Sequence, residues 1–272
     1  MMRVSCHKDK GFNLIELMIA MLIGLIILGA VLSIYISTIK ASSDTVKSAR
    51  LNYDLDSVMQ LMVNDIRRAG HWGGAVTGSD ANLNSFTTST TNVNIRTLAN
   101  PTVDPSPNVG DCILYAYDAG GLVAADANGD GLLGDDANEY YGFKLDRGAV
   151  WIRYSGATTA NCSDGLWERI TDENEVLVTN LQFSFLATAA QAAIANTQPA
   201  LPALTATSRC LNFTANTVTN SINCATVTAG DDIAQKRMIN IHLSGYVEGD
   251  MSVIKSLSNS VKVSNNRIYT AP

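Results

Sequence analysis

The chain has 272 residues, 46% of them hydrophobic, with 19 lysines and arginines against 25 acidic residues, a formal charge of −6 at pH 7. This length accommodates a membrane segment plus one main globular body, and the acidic balance excludes nucleic-acid recognition through a broad basic face. Histidine occurs only at positions 7, 71 and 242, so no local His cluster can hold a metal. With no glycine-rich phosphate loop and no Gly-x-Ser-x-Gly elbow either, the sequence reads as a non-enzyme.

The first predicted element is a membrane helix. From Leu17 to Ile39 there is neither a charged residue nor a proline, and such a run spans a hydrocarbon core of ~30 Å. The flank before it is short and net positive, with Arg3, Lys8 and Lys10 against Asp9. The positive-inside tendency therefore keeps the start in the cytoplasm and sends the rest across the membrane. That remainder carries 16 basic and 24 acidic side chains, a formal −8. A secretory signal fits poorly, because its apolar region would be about 7 to 15 residues long and end at a small-residue cleavage site. One acidic residue, Glu16, stands at the start of the run. A charge at the edge of hydrocarbon costs on the order of 3 kcal/mol, so this carboxylate is expected to have a use.

The stretch Gly11-Phe12-Asn13-Leu14-Ile15-Glu16-Leu17 resembles the type III signal of type IV pilins and pseudopilins. The resemblance implies cleavage by a prepilin peptidase between Gly11 and Phe12, loss of a 1–11 leader, and methylation of the new N-terminal Phe12. It also implies that Glu16 meets the N-terminal ammonium of a neighbouring subunit during assembly. Phe12 and Glu16 are one helical turn apart, so the same two charges can offset each other within one subunit before assembly. Many major pilins have a helix-loosening proline where this chain has Ser33; Gly24 and Gly29 lie in the same zone.

Beyond Lys40 the apolar residues Leu51, Leu55, Val58, Met62, Ile66 and Ala69 recur at spacings of three and four, which predicts one buried helix face. A single helix is expected from near Phe12 to about Ala69, with 12–39 in the membrane, 40–70 as its amphipathic continuation and Gly70 as the stop. Met59 and Met62 read as core packing. Arg67, Arg68 and His71 suit the negative end of the helix dipole. The segment from Ser48 to Gly74, SARLNYDLDSVMQLMVNDIRRAGHWGG, is similar to that of the PilW-like minor pilins. This narrower resemblance implies a minor pilin that initiates or caps a type IV pilus with other minor pilins, the major pilin and the inner-membrane assembly platform, ending at the cell surface and serving twitching motility and often DNA uptake. A minor pseudopilin of type II secretion and a calcium-dependent tip adhesin are the alternatives.

The body, 71–272, is expected to be α+β, with the helix on one face of an antiparallel sheet. A long polar connection covers Thr77 to Asn108, with one strand near Val93 to Leu98. Further strands are expected at Asp111 to Ala116, Glu139 to Leu145, Ala149 to Tyr154, Trp167 to Thr171 and Leu177 to Leu186, then around Ile239 to Val247, with a last one starting at Val261. Ala187 to Thr207 and Thr214 to Thr228 read as surface insertions. The Asp126, Asn128, Asp130 spacing followed by Gly131 matches the first half of a calcium loop. Its second half departs from the pattern, with Ala137 at the twelfth position, leaving Asp135, Asp136 and Glu139 as further oxygen donors for Ca2+. A turn that needs no ion reads equally well, and no cofactor is required. Beyond the apolar run stand Cys112, Cys162, Cys210 and Cys224. Such an even set outside the cytoplasm predicts disulfides. Of the three connectivities, Cys112 with Cys162 and Cys210 with Cys224 is favoured, since each pair closes a local loop.

Overall fold

A computed structural model of the chain describes residues 11, 13–73, 84–88, 91–100, 109–119, 131–133, 139–185, 208–221, 224 and 227–272. Two compact units emerge, Met1–Ala49 and Arg50–Pro272. A single α-helix, α1 (Leu14–Arg68), is present among the described residues.

In the first unit every large apolar side chain from Leu14 to Ile39 is at least half exposed. A helix that is apolar on all sides must bury that surface in lipid or against other chains. At a rise of 1.5 Å per residue, Leu17 to Ile39 extends over about 34 Å, enough to cross a bilayer. The Ser37 and Thr38 hydroxyls both donate to the Ile34 carbonyl at 2.8 Å, the local bond that spares a hydroxyl the cost of entering hydrocarbon unpaired.

The strands of the second unit are, in chain order, β1 (Asn94–Arg96), β2 (Val109–Gly110), β3 (Cys112–Ala116), β4 (Tyr140–Asp146), β5 (Ala149–Ser155), β6 (Leu166–Arg169), β7 (Val176–Ser184), β8 (Arg209–Asn212), β9 (Thr217–Asn220), β10 (Asp232–Lys236), β11 (Met238–Val247), β12 (Asp250–Lys262) and β13 (Arg267–Thr270). They form three antiparallel sheets, ordered β1-β3-β4-β5-β6, β2-β7-β11-β12 and β9-β8-β10-β13. The first is a meander from β3 to β6 with β1 on the outer edge of β3, whereas the strand expected at Leu177 to Leu186 falls in the second sheet as β7. Its β4–β5 turn places Arg147 and Gly148 at φ of 50° and 76°, the left-handed pair of a tight two-residue hairpin. Gly110 is required by close approach, since a side chain there would run into the Arg96 carbonyl.

Arg50–Arg68 of α1 buries Leu51, Leu55, Val58, Met59, Met62, Val63 and Ile66, including the expected stripe. The neighbouring pairs Val58-Met59 and Met62-Val63 widen that stripe beyond one sheet's width. The helix therefore shares a core with two sheets, through Ile95, Ile113, Tyr115, Phe143 and Val150 of the first and Val178, Leu181, Phe183, Ile239, Ile241 and Leu243 of the second. This is the expected α+β fold of a long helix packed on antiparallel sheet, with two sheets sharing the helix face. The helix end is closed from three sides. Gly70 takes φ +72°, the left-handed conformation that suits a residue just past a helix, and its N–H donates to the Ala116 carbonyl at 2.8 Å. Ser264 N–H donates to the Arg67 carbonyl at 2.9 Å, and the Asn265 amide donates to those of Arg68 and Ala69, both at 3.2 Å.

The C-terminal region departs most from expectation. Val261 lies near the end of the thirteen-residue β12 rather than opening the last strand, which is β13. Thr214 to Thr228 contains β9, which pairs with β8 along its whole length. This third sheet has a small core of Cys210, Cys224, Ile233 and Ala271. Disulfides join Cys112 to Cys162 and Cys210 to Cys224. An ion pair between the buried Arg153 and the partly exposed Asp164, Nη2 to Oδ2 at 2.5 Å, holds the β5–β6 connection, and Arg153 Nη1 also donates to the Thr158 carbonyl at 2.7 Å.

Candidate assembly site

At the start of α1 the Asn13 backbone N–H donates to Glu16 Oε2 at 3.4 Å, and Leu17 N–H donates to the Asn13 carbonyl at 3.2 Å. An acid in the third helical position that reaches back to the preceding amide is half of a capping box. Glu16 therefore has a local partner as well as a favourable place at the positive end of the helix dipole. The sequence carries a signal for this, an Asn three residues before a Glu at the head of an apolar run. Gly11 is exposed, while Phe12 lies outside the described residues.

At the other end of α1 a polar cluster ties helix to sheet. Asp65 accepts from the Tyr115 hydroxyl at 2.5 Å and the Tyr117 hydroxyl at 3.1 Å, and Arg68 Nη1 lies 3.6 Å from the same carboxylate. The Arg68 guanidinium stands over the Tyr117 ring at 4.2 Å, and the Tyr117 ring stacks on Tyr141 at 4.0 Å. Burial first, then the Asp65 charge, raises both Tyr115 and Tyr117 well above the usual phenol range. These are neutral donors serving a carboxylate, and among the described residues they have no reacting partner. Sequence reasoning placed Arg68 correctly near the helix end but missed Asp65, whose partners lie 50 and 52 residues away.

Of the residues assigned to calcium, Asp126, Asn128, Asp130, Asp135 and Asp136 lie outside the described residues. Glu139 is buried. Gly131 of the same loop is anchored: its N–H donates to Asp118 Oδ2 at 2.9 Å, and its carbonyl accepts from Trp72 Nε1 at 2.9 Å. Asp118 also accepts from Gly73 N–H at 2.8 Å, so one buried carboxylate fastens the helix exit to the loop. Among the described residues no three His, Cys, Asp or Glu side chains converge as a metal site. His242 is buried, with Nδ1 3.0 Å from the Ser258 hydroxyl and Nε2 3.3 Å from that of Ser256.

Two family models match the chain. Residues 6–32 match the prokaryotic N-terminal methylation motif, and residues 44–263 match prepilin peptidase-dependent protein B. No curated protein and no solved structure gives a significant match. The motif falls on Gly11, Glu16 and the exposed apolar helix, and the second match takes in the outer half of α1 and most of the body. The chain belongs to the prepilin peptidase-dependent protein B family, and is a type IV pilin-like, membrane-associated protein.

Proposed function

We propose that this chain is a PilW-like minor pilin, a structural subunit that helps to initiate or cap a type IV pilus. The observation that carries the reading is the methylation motif at the head of an all-round apolar helix that continues, as one element, into a body matching a prepilin peptidase-dependent family. On this reading prepilin peptidase cleaves after Gly11, Phe12 becomes the methylated N-terminus, and the body faces the periplasm until assembly carries it to the cell surface. Other minor pilins, the major pilin and the inner-membrane platform are its partners. Mass spectrometry of sheared pili tests this: the chain should be present at low abundance and begin with methylated Phe12. Gene disruption should remove surface pili and leave protein secretion intact. Lost secretion with normal piliation would instead assign the chain to a type II secretion pseudopilus.

Calcium at Asp126, Asn128, Asp130, Asp135, Asp136 and Glu139 is a subsidiary proposal, supported by the sequence spacing and by the anchoring of Gly131. Titration of the full chain in detergent with calcium should raise its melting temperature and release heat. Absence of both would remove the metal and with it a calcium-dependent tip adhesin.

A further inference from the structure

Where β10 passes into β11, Arg209, Lys236, Arg237, Met238 and Lys262 line a cleft of about 320 Å³. Four cations around one cleft are a marked departure in a chain of net charge −6. Arg209 and Lys236 are direct cross-strand partners, and Lys262 pairs in register with Met238. Like charges placed opposite one another destabilise a sheet. Among the described residues none of these four cations makes an ion pair with a carboxylate.

Arg237 lines the cleft, while its guanidinium is held beside the end of α1. It is 2% exposed, and its guanidinium donates to Asn92 Oδ1 and, at 2.7 Å, to the Asn265 carbonyl. Its Nε is buried with no partner among the described residues. Burial and the neighbouring Arg267 cation push its pKa down to about 9, so the group is charged at neutral pH yet has only neutral acceptors. An anion in the cleft would relieve the Arg209–Lys236 repulsion.

We propose that this cleft binds a phosphate dianion, free or as the phosphoryl group of a small monoester. A tetrahedral dianion offers several acceptors to converging guanidinium and ammonium donors, the strong class of hydrogen bond. At ~30 Å³ per water the cleft has the volume of about ten waters, room for a phosphoryl group with a small organic substituent.

The test is calorimetric and thermal titration of the full chain in non-ionic detergent with inorganic phosphate, and separately with glycerol phosphate, against chloride at equal ionic strength. Saturable heat and a raised melting temperature are expected with phosphate. A stronger response to the monoester identifies it as the source, and an equal response identifies the free ion. The double variant Arg209→Gln, Lys236→Gln should melt at or above the wild-type temperature without phosphate and bind it about tenfold or more weakly. Should the double variant not fold, Lys262→Gln should likewise weaken binding. A phosphate response no larger than that of chloride overturns the proposal, and so does a variant that binds undiminished. It also fails if the variant is strongly destabilised without phosphate, which makes the cations structural, or if an oligonucleotide binds where phosphate does not.

Discussion

Asp65 shows how one side chain fastens α1 to the first sheet. It faces two phenol donors and Arg68 in a setting largely closed to water. A hydrogen bond to a charged acceptor contributes about 1.5–3 kcal/mol. Tyr115→Phe, which keeps the ring in the core, should therefore lower unfolding stability by about 2 kcal/mol, measured by chemical denaturation. Tyr117→Phe, with the longer bond, should cost less. His242 yields a pH prediction. Burial lowers its pKa below the ordinary 6.5, so the folded chain keeps the ring neutral while the unfolded chain takes up a proton. As pH falls below about 6.5 the unfolded state binds more protons, and stability declines. Melting temperature should drop between pH 7 and pH 5, and His242→Gln should make that slope shallower.

Single elements differ in what holds them. The Cys112–Cys162 bridge closes a loop of 50 residues and Cys210–Cys224 one of 14. Loop-closure entropy assigns them about 4 and 3 kcal/mol respectively. Replacing the first pair by serine should destabilise the body as a whole. Replacing the second should melt the third sheet locally, because its core otherwise consists of Ile233 and Ala271 with the half-buried Val227 and Tyr269; hydrogen exchange at β8 and β10 would show fast amides while those of β7 and β11 stay protected. At the β4–β5 hairpin, Arg147 holds φ 50°, which disfavours a side chain with an ordinary Cβ but suits asparagine. Arg147→Asn should stabilise by about 0.5 kcal/mol, seen as a shift in denaturation midpoint. The same contrast explains what could be read from sequence. The α1 stripe declares itself because seven buried apolar residues recur at helical spacing, and β11 because Ile239, Ile241 and Leu243 alternate. β9 is exposed along its whole length and β8 is only four residues, so neither carries a period, and the third sheet stayed hidden. The Asp65 cluster was illegible for another reason: its members meet only after the meander has folded.

For the molecule as a whole, the decisive residue is Glu16, for which the structure supplies a second role. Its carboxylate caps the Asn13 amide at 3.4 Å, and on the proposed function it also pairs with the Phe12 ammonium of a neighbour. Two substitutions separate these roles. Glu16→Gln keeps an acceptor at the third helical position, as capping boxes allow, but removes the charge. Glu16→Ala removes both. If charge pairing drives assembly, both variants should insert into the membrane and be processed. Both should then enter pili about tenfold or more below wild type, since losing one member of a desolvated pair costs more than the 1.4 kcal/mol that a factor of ten requires. Immunoblots of sheared pili against the membrane fraction measure this. Gly11→Ala serves as the control, accumulating as an unprocessed membrane precursor. Normal assembly of Glu16→Gln with failure of Glu16→Ala would make the cap, not the charge, the working interaction. Normal assembly of both would remove Glu16 from filament entry, leaving the apolar surface from Leu14 to Ile39 to drive assembly by packing alone.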